Sequence, residues 1–158
     1  MKKIILSGGG TGGHIYPAVA VAEALKRRFG GDVELLFVGA EGKMEMEKVP
    51  ALGYRIVGLP IAGLQRRLDW RNLAVPFKAV KSIRMAKRII RDFGADAVVG
   101  FGGYASAPVL WAAQRMGVPT VIQEQNSYAG VTNKILAKGA RRICTAYEGM
   151  ERFFPAAK

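Results

Sequence analysis

Short apolar runs alternate with amphipathic stretches along the whole chain. Runs at Lys3–Ser7, Val33–Val38, Tyr54–Leu59, Ala97–Val99, Pro119–Ile122 and Arg142–Thr145 predict strands. Between them, apolar residues recur at helical spacing. That spacing predicts helices over Pro17–Arg28, Met44–Leu52, Trp70–Phe93, Ala107–Met116 and Gly130–Ala137, with a last helical turn over Tyr147–Phe153. Ala18, Ala22 and Leu25 mark the inner face of the first helix, and Pro17 suits its first turn. Strands separated by single helices imply βαβ units. The expected fold is α/β: one Rossmann-like domain over residues 1–158, a parallel sheet with helices on both faces.

Two strands run directly into glycine-rich turns. After Lys3–Ser7 come Gly8, Gly9, Gly10, Thr11, Gly12, Gly13 and then His14. Such a row leaves backbone N–H groups unobstructed near a helix N-terminus, an arrangement that suits phosphate or diphosphate. Val98-Val99-Gly100 leads similarly into Phe101, Gly102, Gly103, Tyr104, Ala105 and Ser106. In open α/β sheets, loops at the carboxyl ends of strands face the ligand crevice. Gly8-x-Gly10-x-x-Gly13 also fits the dinucleotide fingerprint, with Glu41 as the ribose partner, so an NAD(P)-binding oxidoreductase domain stands as an alternative. No Gly-Lys-Ser/Thr follows, which excludes a P-loop.

His14 is the single histidine, and its place at the rim of the first loop makes it a candidate base or hydrogen-bond donor. Gln123-Glu124-Gln125-Asn126-Ser127 is a polar run at a strand's carboxyl end, suited to a hydroxyl-rich ligand; Asn126 could instead cap the next helix. Thr132, Asn133 and Lys134 are further candidates one turn on. Cys144 is the single cysteine, which rules out an internal disulfide and a cysteine-based metal site. It is expected to fill space inside a strand. No metal-ligand spacing is present.

Charge changes the picture. The net charge is +12, and much of the excess lies in Arg66, Arg67, Arg71, Lys78, Lys81, Arg84, Lys87, Arg88 and Arg91, opposed locally by Asp69 and Asp92. The helix from Trp70 carries one apolar row at Ala79, Ile83, Ala86 and Ile90, the expected core face. A second row, Leu73, Phe77 and Val80, is bordered by Lys78, Lys81 and Arg84. With Trp70, and Trp111 as a second candidate, at the headgroup level, this pattern fits an interfacial membrane contact. Both rows packed inside the protein is the competing reading. A non-catalytic basic module for anionic surfaces is a third functional alternative. Aromatics are not interleaved with the cations, which argues against nucleic acid. No apolar stretch reaches the roughly 20 residues of a membrane span, and a cytoplasmic protein is expected.

The segments Gly9–His14, Pro17, Gly100–Pro108, Glu124-Gln125-Asn126, Ala129-Gly130 and Thr132-Asn133-Lys134 together resemble the MurG family, along essentially the whole chain. Ala107 departs from the family, which usually has Gly there, and its methyl is expected to crowd the second loop slightly. The family's members are GT-B glycosyltransferases that convert lipid I to lipid II in peptidoglycan synthesis. The resemblance implies the acceptor-binding first half of such an enzyme, with the donor-binding half outside this chain and little activity in this half alone. It implies inverting transfer of GlcNAc from UDP-GlcNAc, a co-substrate, to the C4 hydroxyl of the lipid-linked muramoyl sugar. It implies no metal or cofactor. His14 is the implied base, with Glu124 second. Gly9, Gly10, Thr11, Gly12, Gly13, Gly102, Gly103, Tyr104 and Ser106 would hold the acceptor and its diphosphate. Thr11, Gly12, Gly13, His14 and Asn126 would meet sugar or donor. The implied setting is peripheral, on the anionic cytoplasmic face of the bacterial plasma membrane.

Overall fold

A computed structural model describes residues 1–61 and 75–155. Six strands form one parallel sheet: β1 (Lys2–Ser7), β2 (Val33–Ala40), β3 (Ile56–Leu59), β4 (Ala97–Gly100), β5 (Thr120–Glu124) and β6 (Arg142–Thr145). Their order across the sheet is β3-β2-β1-β4-β5-β6. Among the described residues, five α-helices connect them: α1 (Gly12–Phe29), α2 (Glu45–Ala51), α3 (Val75–Phe93), α4 (Ala107–Arg115) and α5 (Val131–Leu136). A 3-10 turn over Met150–Phe153 follows β6. The expected α/β architecture is the observed one.

Alternation along the strands divides the core between the two sheet faces. Ile5, Leu36, Val38, Val98 and Ile122 pack on one side with Ala86, Ile90 and Leu110 of α3 and α4. Leu6, Leu35 and Phe37 pack on the other with Ile15, Ala18 and Ala22 of α1 and Val49 of α2. Gly100 has no side chain because Leu110 lies where one would be.

The order of strands reverses at β1, which pairs with β2 on one side and β4 on the other. Chain connections therefore leave β1 and β4 in opposite directions, opening a crevice at their carboxyl ends. Both glycine loops emerge there.

Two expectations change. Helix α1 begins at Gly12, not at Pro17, so the proline lies inside it. The glycines already adopt helical geometry, and the proline's missing N–H falls one turn later. Cys144 is exposed, not buried, because β6 is the edge strand, and Arg142, Cys144 and Thr145 are all open to solvent.

Behind the β1–β2 face, Tyr54 is buried and packs against Phe37, the ring centroids 5.1 Å apart and the planes tilted by 53°. Its hydroxyl donates to Glu23, and the Lys26 ammonium sits 4.0 Å over its ring. Burial, reinforced by the hydrogen bond to the Glu23 carboxylate and by that group's charge, pushes the phenol up to about 12 from 10.0. The folded state thus keeps this proton to higher pH than the unfolded chain does. Its contribution to stability should be complete below about pH 10 and lost as pH rises toward 12. Melting temperatures of wild type and Tyr54→Phe across this range should therefore fall more steeply for wild type, with one tyrosinate absorbance step displaced upward and missing in the variant.

Candidate functional site

The two glycine loops meet at the crevice. A side chain on Gly103 would begin 2.7 Å from the Gly9 carbonyl oxygen, and one on Gly8 would begin 3.0 Å from Phe101 Cβ. Tyr104 closes over the first loop, its ring 3.4 Å from where a Cβ on Gly10 would stand. Gly10, Gly102 and Gly103 have φ of +85°, +90° and +76°, a region that L side chains seldom enter. These turns require glycine both for conformation and for space.

His14 lies between the loops, half-buried in the first turn of α1. Its Nδ1 is 3.1 Å from the Gly9 carbonyl oxygen and 3.1 Å from Thr11 Oγ1. A carbonyl oxygen only accepts, so this pairing places the proton on Nδ1. The neutral ring then carries its free lone pair on Nε2. That nitrogen looks toward the second loop, 3.3 Å from the position of a Cβ on Gly102, where the Asn133 side-chain nitrogen also converges at 3.4 Å.

The donors of the first loop are not all equivalent. The amides of His14 and Ile15 turn back to the Thr11 carbonyl. Gly12 and Gly13 open α1, where N–H groups lack an intrahelical partner and the helix dipole favours an anion. Thr11 is exposed in extended geometry at the N-cap and makes no side-chain cap bond there. Gly10 differs: its N–H donates at 3.0 Å to Glu45 Oε2. The other carboxylate oxygen of Glu45 accepts from the Ala40 amide at 3.0 Å. Glu45 is buried, and it fills the space that side chains on Gly9 and Gly39 would need. Sequence reasoning did not single it out. The available signal was weak: Glu45 is one of three acids, with Glu41 and Glu47, in the stretch that follows Gly39 at the end of β2.

Glu124 is also buried. Its Oε1 accepts from the backbone and side-chain amides of Asn126, both at 3.0 Å, and its Oε2 from the Gly130 amide and Asn133 Nδ2, both at 2.9 Å. It ties the end of β5 to the start of α5.

With this geometry in place, likeness to known proteins is informative. Residues 4–145 match the glycosyltransferase family 28 N-terminal domain. The chain belongs to this family. It is 61% identical over 156 residues to UDP-N-acetylglucosamine--N-acetylmuramyl-(pentapeptide) pyrophosphoryl-undecaprenol N-acetylglucosamine transferase of Parabacteroides distasonis, covering 99% of this chain and 42% of that protein. The protein of the same name from Cytophaga hutchinsonii is 62% identical over 156 residues, again with 99% of this chain and 42% of the relative covered. Among solved structures, Acinetobacter baumannii MurG superposes on 100% of this chain and 44% of its own, with TM-score 0.86 and 34% identity. A UDP-N-acetylglucosamine 2-epimerase from Rickettsia bellii shares the fold at TM-score 0.66 and 16% identity, over 97% of this chain and 41% of its own. The chain thus spans about two fifths of the length of the curated relatives it matches. Nothing in these likenesses favours the oxidoreductase alternative.

Against the family 28 frame, the expected site residues divide. Gly9, Gly10, Thr11, Gly12, Gly13, His14, Gly102, Gly103 and Tyr104 are brought together where the loops meet. Ser106 is not an open contact: it is fully buried, and its hydroxyl donates to the Gly103 carbonyl at 3.0 Å, so it braces the second loop. Gly10 offers its N–H inward to Glu45, which removes it from the row of anion donors. Asn126 is exposed, but its amide nitrogen is held by Glu124; it does not cap α5, whose N-cap is Gly130. Ala107 borders open space on one side. It lines an apolar cavity of about 220 Å³ with Ile61, Ala79, Ile83, Pro108 and Trp111.

On α3, Ala86 and Ile90 are buried, as expected for the core row. Phe77 is 79% exposed and Val80 48% exposed, beside exposed Lys78, Lys81 and Arg84. The reading in which both apolar rows pack inside therefore fails for these two residues. Trp70 and Leu73 lie outside the described residues. Trp111 is partly covered, with Lys87 and Arg115 over its ring at 5.7 and 5.0 Å. Among the described residues no helix is long and apolar enough to cross a membrane.

The contact between loops makes Gly103 a sensitive position. Gly103→Ala should cost about 1–2 kcal/mol from its left-handed backbone alone, besides displacing the Gly9 carbonyl and the His14 ring. Urea denaturation should show the lower midpoint, and the His14 ring resonances should move.

Proposed function

We propose that this domain binds the lipid-linked acceptor in a family 28 enzyme that transfers GlcNAc from UDP-GlcNAc to a muramoyl-peptide diphosphate lipid, making lipid II from lipid I. The observation that carries this reading is the convergence of two glycine loops on the free Nε2 of His14. The loop amides of Gly12 and Gly13 supply donors for the acceptor diphosphate. Tyr104 and Thr11 flank that position and serve the sugar, with the side-chain oxygen of Asn126, at the end of β5, as a further contact in this scheme. The names of relatives about 60% identical to this chain point the same way.

In the reaction, His14 Nε2 takes the proton of the muramoyl C4 hydroxyl. The hydroxyl oxygen bonds to the anomeric carbon of GlcNAc as that carbon's bond to the UDP oxygen breaks. Attack from the face opposite the leaving group inverts the anomeric centre. UDP departs with the bonding pair. Glu124, whose oxygens already accept four hydrogen bonds, orients Asn126 and Asn133 in this scheme and does not serve as the base. No step uses a metal or cofactor. The donor is bound mainly by a part of the enzyme beyond this chain.

The acceptor is anchored in a bilayer, and the exposed face of α3 matches that setting. Phe77 and Val80 enter the interface while Lys78, Lys81 and Arg84 meet anionic headgroups, each cation near the surface adding about 1 kcal/mol. In this reading the domain sits peripherally on the cytoplasmic leaflet.

Calorimetric titration with a short-chain, water-soluble lipid I analogue tests acceptor binding. Wild type should bind and Gly12→Val should not, because its added bulk blocks the donors and meets the Tyr16 ring, already 3.2 Å from a Cβ there. Equal affinity of both proteins would remove the first loop from the site. Phe77→Asp should reduce sedimentation with anionic liposomes in high salt, where charge attraction alone is screened; unchanged sedimentation would move the contact elsewhere.

A further inference from the structure

We propose that Glu45 is a positioning residue for His14, acting through the single peptide group that joins Gly9 to Gly10. The N–H of that group belongs to Gly10 and donates to Glu45 Oε2 at 3.0 Å. Its C=O belongs to Gly9 and lies 3.1 Å from His14 Nδ1. One rigid, planar unit is therefore gripped from both sides, by a carboxylate on its amide edge and an imidazole on its carbonyl edge. The two hydrogen bonds run in one direction, from Nδ1–H through the peptide to the carboxylate, so each polarises the other.

Glu45 is set up for this task rather than for packing alone. It is buried at 1% exposure, and the two backbone amides of Ala40 and Gly10 are the hydrogen bonds it makes. Gly9 and Gly39 lack side chains where its carboxylate and stem lie. A carboxylate accepts only, so it dictates which way the Gly9–Gly10 peptide faces. That orientation presents the carbonyl to His14 and keeps the ring proton on Nδ1. Nε2 is left as the lone pair facing the second loop. Thr11 and the backbone at Gly102 and Gly103, which also border the ring, are uncharged. The negative charge that reaches the imidazole through hydrogen bonds is that of Glu45. Its use in proton transfer rests on the function proposed above; the coupling itself does not.

The chain has one histidine, so ring nitrogen spectra are unambiguous. In ¹⁵N NMR of the wild-type domain at a pH where the ring is neutral, Nδ1–H should be the dominant tautomer. Glu45→Gln keeps the shape, removes the charge and turns an NH₂ toward one of the two amide donors. It should raise the ratio of Nε2–H to Nδ1–H by about tenfold, the equivalent of losing one charge-assisted hydrogen bond, and shift the Gly10 amide proton upfield. A wild-type ring protonated mainly on Nε2 would overturn the proposal. So would an E45Q spectrum in which the Gly10 amide moves while the tautomer ratio stays, since that is the result of a purely structural carboxylate. Should E45Q fail to fold, E45D withdraws the charge by one methylene and must shift the ratio in the same direction; an unchanged ratio overturns the coupling. None of these readouts requires acceptor or donor, so failure of the proposed function leaves them interpretable.

Discussion

The backbone of Gly103 comes against the carbonyl of Gly9, and this contact between two loops from neighbouring parallel strands underlies the rest of the site. It exists because β1 and β4 are adjacent at the point where the strand order reverses. Two chains can approach that closely only where neither carries a side chain. His14 lodges beside the contact, Tyr104 folds across it, and Ser106 braces the second loop from behind. The helices that follow the loops are held in turn by the sheet faces they cover, so the core fixes the site to within the tolerance of packed side chains.

Charge is arranged around this contact with opposite signs at different depths. Donor amides open α1 toward solvent, while the carboxylates of Glu45 and Glu124 lie buried nearby, both oxygens of each bonded by backbone or side-chain N–H groups. Buried carboxylates need such bonds to remain in place. They organise the loops from below and leave the upper surface to an incoming anion. The basic face of α3 is a separate matter: its cations are solvated and act through their field.

Much of this was legible in the sequence, and for identifiable reasons. Strand and helix periods showed the parallel α/β sheet, and the density of glycine after Ser7 and Gly100 marked the crevice. What could not be read depended on partners far apart in the chain. Glu45 sits in a short helix of ordinary pattern, and its meaning comes from amides at Gly10 and Ala40. Glu124 and Ser106 are polar residues at strand or loop ends, and nothing local tells whether such groups face a ligand or turn inward to brace a loop. Cys144 was expected inside because it lies in a predicted strand, whereas exposure at β6 follows from its place at the sheet edge. Helix α1 starts early because tertiary contact stabilises helical glycines that intrinsic propensity would disfavour.

The held peptide between Gly9 and Gly10 also bears on the entropy of binding. A glycine-rich loop has more conformational freedom to lose than any other, and a loop left loose would lose it when the ligand arrives. Here much of that loss has already occurred on folding, through Glu45 on one edge of the peptide and His14 on the other. An anion reaching Gly12 and Gly13 meets donors whose neighbouring backbone is already immobile, so less of its interaction energy is consumed in ordering the loop.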